Sequence, residues 1–94
     1  MNRKSEDFRK NRQAFVTARD LIAAECERAQ AMFCPFNSSH EAYGVIREEL
    51  DEFWDAVKAN DGPGARAEAV QVAAMALRFL VEQPPMVKRR NGAS

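Results

Sequence analysis

The stretch His40-Glu41-Ala42-Tyr43-Gly44-Val45-Ile46-Arg47-Glu48-Glu49-Leu50-Asp51-Glu52-Phe53-Trp54-Asp55 decides how the rest of the chain is read. At about 100° per residue, a helix here gathers Tyr43, Ile46, Leu50, Phe53, Trp54 and Val57 into one wide apolar sector. Glu41, Glu48, Glu52 and Asp55 fall on the opposite side, with Glu49 on the flank between. The apolar sector is the pattern of a core-facing amphipathic helix. The acidic side is less usual, because Glu48, Glu52 and Asp55 follow one another at helical spacing with no cation between them. At an effective dielectric near 20, neighbouring like charges of this kind repel by roughly 3 kcal/mol, against about 1 kcal/mol in bulk water. A solvated strip tolerates that repulsion. A strip covered by a partner helix needs neutralising, and a divalent cation with oxygen ligands is suited to the task.

Upstream, Ser5 to Met32 reads as one long helix, with Ser5 as N-cap and Glu6 and Asp7 in its first turn. Phe33 to Ser39 reads as a loop, because Pro35 biases Cys34 away from helical geometry. Ser38 is the expected cap of the acidic helix, since Glu41 three residues on completes a capping box. Phe33 and Phe36 either plug the end of a helical bundle or offer aromatic faces to a planar ligand such as a nucleobase. His40 is expected to cap the helix or face solvent, and no nucleophile–histidine–acid set can be built around it.

Downstream, Asp61-Gly62-Pro63-Gly64 is expected to break the chain between helices. A third helix then runs from about Ala65 to Glu82. It is apolar around most of its circumference, which implies burial on more than one side. Three helices in one short chain cannot supply that cover, so the third helix is expected to form a subunit interface, most simply a two-fold one. Its polar positions, Glu68, Gln71, Arg78 and Glu82, gather on one side. Residues 86–94 are expected to be a basic, disordered tail.

The expected fold is therefore all-α: one domain over residues 1–85, whose three main helices reach a four-helix-bundle-type core by homo-oligomerisation as a dimer or tetramer. The 94 residues hold 14 basic and 14 acidic side chains, a balance that argues against a dedicated nucleic-acid or membrane-surface protein. No apolar run is long enough to span a bilayer. The charged N-terminus does not read as a signal peptide, so the expected compartment is the cytoplasm. Cys26 and Cys34 fit no zinc or redox spacing and are expected to be free thiols.

Glu48-Glu49-Leu50-Asp51-Glu52 has the form E-E-x-x-E, and sixteen residues after Glu52 comes Glu68, on a second apolar helix. In motif, spacing and helix order, residues 25–82 resemble the MazG-like all-α nucleoside triphosphate pyrophosphohydrolases, a superfamily that also contains dimeric dUTPases and dCTPases. The run His40-Glu41-Ala42-Tyr43 with Glu48 to Trp54 is similar in particular to small MazG-like proteins of phages and bacteria. The resemblance implies a Mg²⁺-dependent enzyme, with Mn²⁺ as a substitute, that splits a nucleoside triphosphate between its α and β phosphates. Glu49, Glu52, Glu68 and residue 71 would be the metal ligands, paired three apart on facing helices. Glu48 is the candidate to orient or deprotonate the attacking water, or is an outer, solvated acid. Phe33 and Phe36 would stack on the base, with Gln30 and Asn37 reading its edge.

One position departs from the motif. The last acid of the E-x-x-D pair is Gln71 here, which can ligate through its carbonyl but brings no negative charge. Two functions follow. One is a homo-oligomeric nucleotide pyrophosphohydrolase. The other is a non-catalytic helical module that binds nucleotide or a protein partner.

Overall fold

Thirty residues without Gly or Pro propagate as a single helix, α1 (Arg3–Met32), in the computed structural model, which describes residues 3–87. The helix is already formed two residues before Ser5, so Ser5 is not its N-cap. Serine inside a helix costs little, and nothing upstream of it within the described residues breaks the pattern.

The loop that follows is short, and α2 (Ser39–Lys58) begins where the capping chemistry places it. Ser38 is extended, and its hydroxyl accepts the Glu41 backbone N–H at 3.0 Å. The reciprocal bond reaches one residue further back than in a standard capping box: the Glu41 carboxylate accepts the Asn37 N–H at 3.2 Å. After α2, Asn60 takes a left-handed conformation, which asparagine tolerates better than most residues.

The third helix, α3 (Gly62–Glu82), starts three residues earlier than Ala65. The Gly-Pro-Gly run does not separate it from α2 but forms its first turn. Pro63 lies where a helix has no use for the missing N–H, and the Asp61 side chain caps the end by accepting the Gly64 N–H at 2.9 Å. Gln83, left-handed, ends α3 and turns the chain back. Residues 84–86 then strap onto the start of α2. Ser39 donates its backbone N–H to Pro85 O at 2.6 Å and its hydroxyl to Pro84 O at 3.3 Å, and His40 Nδ1 lies 2.6 Å from Met86 O. Of the expected basic tail, residues 88–94 lie outside the described residues.

Among the described residues all regular structure is helical. α3 is the middle element, with α1 on one side and α2 on the other, and α1 and α2 do not pack on each other. The core where they meet is small: Cys26, Ala29, Phe36, Ala42, Ala74 and Met75. Ala42 and Ala74 are fully covered, and residues of this size let the helices approach closely.

This arrangement leaves much of the apolar surface open. Of the α2 stripe, only Ile46 and Phe53 are half-buried; Tyr43, Leu50, Trp54 and Val57 are exposed, as are Leu80 and Val81 on α3. The reason is topological. α1 packs on α3 alone, so within one chain no helix covers the outer face of α2. Among the described residues no helix is long and apolar enough to cross a membrane. Cys26 is buried, Cys34 is exposed, and both are free.

Candidate metal centre and adjoining cleft

Glu49 and Glu52 lie one turn apart on α2, and Glu68 faces them from the first half of α3. One carboxylate oxygen from each lies within 4.8 Å of the others. Glu49 and Glu68 are half-buried and Glu52 is exposed. Three like charges this close need a counter-charge, and the titration of the site reflects it. Burial, first, then a hydrogen bond to Glu68 and repulsion from Glu52 and Glu68 raise the Glu49 carboxyl from 4.5 to about 7. Repulsion by Glu68 is the largest cause of an upward shift at Glu52 as well, with Glu48 adding to it. One oxygen of Glu68 is buried with no hydrogen-bond partner. Buried carboxylate oxygens are rarely left in that condition. A hard cation with oxygen ligands fits the donor set, the spacing and the orphaned oxygen together.

The trio adjoins a cleft of about 390 Å³, within the range of small-molecule sites. Each helix contributes to its wall: Arg28, Ala29 and Phe33 from α1 and its end, Glu41, Val45 and Glu49 from α2, and Gln71, Met75 and Arg78 from α3. On α2 and α3 these residues follow at intervals of three or four, so the cleft runs along the helices rather than across them.

The other residues singled out in the sequence are placed as follows. Glu48 is exposed and lies outside the converging trio. Gln71 lines the cleft, and its side chain is engaged by Glu25 of α1. A hydrogen bond from Arg28, and then one from Gln71, lower the Glu25 carboxyl from 4.5 to about 2. A carboxylate in place of Gln71 would instead repel Glu25. Phe33 is exposed on the cleft wall, where a ring face is free. Phe36 is buried, and the Arg78 guanidinium lies 4.0 Å from its ring centroid, so it forms the floor of the cleft rather than an open stacking surface. Gln30 donates to Glu82 at 3.3 Å, and neither Gln30 nor Asn37 lines the cleft.

Sequence reasoning assigned no role to the network that holds the loop. Arg78 and Glu82 form a buried ion pair at 2.7 Å. Arg78 also donates to Cys34 O at 2.6 Å, and Glu82 accepts the Phe36 N–H at 2.7 Å. Burial alone would raise the Glu82 carboxyl. The bonds from Phe36, Arg78 and Gln30 outweigh it and hold the group below its ordinary range. The available signal was a charged i,i+4 pair inside an otherwise apolar helix, a placement that demands internal partners. Compared with protein-family models, curated proteins and solved structures, the chain matches none of them.

Proposed function

We propose that the protein is a Mg²⁺-dependent nucleoside triphosphate pyrophosphohydrolase of the MazG-like kind, acting as a homo-oligomer. The observation that supports this reading is the convergence of Glu49, Glu52 and Glu68 beside a cleft of nucleotide size, with an unpartnered buried oxygen among them. Mg²⁺ favours a few carboxylates plus substrate phosphates, and a bound ion would offset the charge of the triphosphate there.

The chain's own groups have distinct tasks. Glu49, Glu52 and Glu68 would hold the ion, and Gln71, whose amide N–H serves Glu25, could add its neutral carbonyl oxygen. Glu48, exposed on the same acidic side of α2, accepts a proton from the water that attacks the α-phosphorus. The new P–O bond forms as the bond to the β-phosphate breaks, giving a nucleoside monophosphate and pyrophosphate. Arg28, held by Glu25, offers positive charge at the cleft wall, and Phe33 offers a face for the base. Exposure of Tyr43, Leu50, Trp54, Leu80 and Val81 supports assembly, since a second copy would bury them.

The test is pyrophosphate release from a panel of ribo- and deoxynucleoside triphosphates with Mg²⁺, with Mn²⁺ and with chelator. Metal-dependent release that is abolished by Glu52→Gln in a folded protein supports the enzyme; turnover unchanged by that substitution rejects it. Gln71, which brings no negative charge where the motif has an acid, favours a second reading, a nucleotide-binding module without turnover. It expects binding at any Mg²⁺ or Mn²⁺ concentration and no release.

A further inference from the structure

The cleft has two chemically different ends. Along the wall contributed by α2, Glu41, Val45 and Glu49 follow at four-residue intervals, with the acidic trio at the Glu49 end. Eight residues separate Glu41 from Glu49, a rise of about 12 Å. That is comparable with the reach of a nucleotide from the edge of its base to its first phosphates. On α3 the wall runs in the same manner from Gln71 through Met75 to Arg78. Val45 and Met75 make the middle of the cleft apolar, a surface against which the C–H face of a sugar can pack. With the phosphates at the acidic trio, the base falls at the end that holds Phe33 and Glu41.

The groups available there narrow the base. Two N–H groups of Arg78 are taken by Glu82 and Cys34 O while its guanidinium stacks on Phe36, and Gln30 donates to Glu82 outside the cleft. Glu41 is exposed, and only one contact is made by its carboxylate among the described residues, the Asn37 N–H at 3.2 Å on Oε1. That bond fixes the side chain and leaves acceptor capacity facing the cleft. An ionised carboxylate only accepts hydrogen bonds. It pairs with two adjacent N–H donors and repels a carbonyl. Guanine presents such a pair, N1–H beside the exocyclic amino group. Uracil and thymine present one N–H between two carbonyls.

We propose that Glu41 selects the base, and that the cleft takes guanine nucleotides, with Phe33 stacking on the ring. This assignment rests on the nucleotide reading above, but not on turnover. Binding of GMP, IMP and UMP to the full chain, measured by calorimetry, tests it without hydrolysis. The expected order is GMP tightest, IMP (which lacks the amino group) roughly tenfold weaker, and UMP weaker still. Glu41→Gln keeps the helix cap, because glutamine serves at that position as well as glutamate. The variant is expected to keep its thermal stability and to lose the preference for GMP over IMP and UMP. UMP binding as tightly as GMP, or a preference unchanged in Glu41→Gln, overturns the assignment. Failure of all three to bind the wild-type chain overturns the nucleotide reading itself, and this one with it.

Discussion

Glu49→Gln should make the protein more stable above about pH 4.5, and most of all at neutral and alkaline pH. The Glu49 carboxyl titrates near 7 in the folded chain against 4.5 ordinarily, chiefly because it is half-buried. Between those values the native state holds a proton that the unfolded chain has released. Stability therefore falls as pH rises from about 4.5 to about 7, then levels off. The difference corresponds to at most about 3 kcal/mol, and partial solvent access reduces it to on the order of 2 kcal/mol. For a domain of this size that is a shift of roughly 10 °C in Tm. Thermal melts of wild type and Glu49→Gln at pH 5 and pH 8, with chelator, measure it. The gap between the two proteins should be small at pH 5 and several-fold larger at pH 8, with the variant melting higher. Comparison with the variant cancels the titrating groups that do not interact with Glu49. Added Mn²⁺ should close the gap at pH 8 by stabilising wild type, and should do little at pH 5, where a proton occupies the site. A variant no more stable than wild type at pH 8, or a Mn²⁺ effect equal at both pH values and in both proteins, would refute the account of the trio as a pre-formed cation site.

Arg78→Ala strands a buried Glu82 and should cost about 3–5 kcal/mol in urea denaturation, whereas a loss under about 1 kcal/mol would show that the pair is not sealed from water. Because the folded Glu82 carboxyl is depressed, its contribution is present above its unfolded value and is lost as pH falls through the folded one; acid titration of wild type against Glu82→Gln follows it. Gln71→Asp places a second carboxylate against Glu25, so with chelator at pH 7 it should lower Tm, and Mn²⁺ should raise Tm more in the variant than in wild type. Gly64→Ala drives a Cβ into the Asp61 carboxylate that caps α3, and should cost about 1 kcal/mol, matching Asp61→Ala; the double variant should be no worse than either alone.

Local chemistry made much of the chain legible. Helical periodicity gave three helices, and the Ser38 cap fixed the start of α2 because a cap involves neighbours in sequence. The same periodicity set Glu49 and Glu52 one turn apart and put Glu68 on the polar side of α3. That Glu68 meets them is a packing fact, which spacing on separate helices suggests but does not fix. Local rules also had a limit at Gly62-Pro63-Gly64, where residues that break a helix interior are harmless in a first turn capped by Asp61.

What the tertiary structure alone decided involves residues far apart in the chain. Arg78 reaches Cys34, Glu82 reaches Gln30 and Phe36, and His40 meets Met86, across 44 to 52 positions. These contacts separate the two phenylalanines, burying Phe36 under a guanidinium and leaving Phe33 at the surface. They also give Gln71 a partner, Glu25, that no motif names. A sequence states which side chains share a face of a helix. Which face meets which neighbour is settled by packing, and here by the pairing of α1 and α2 with α3 and not with each other.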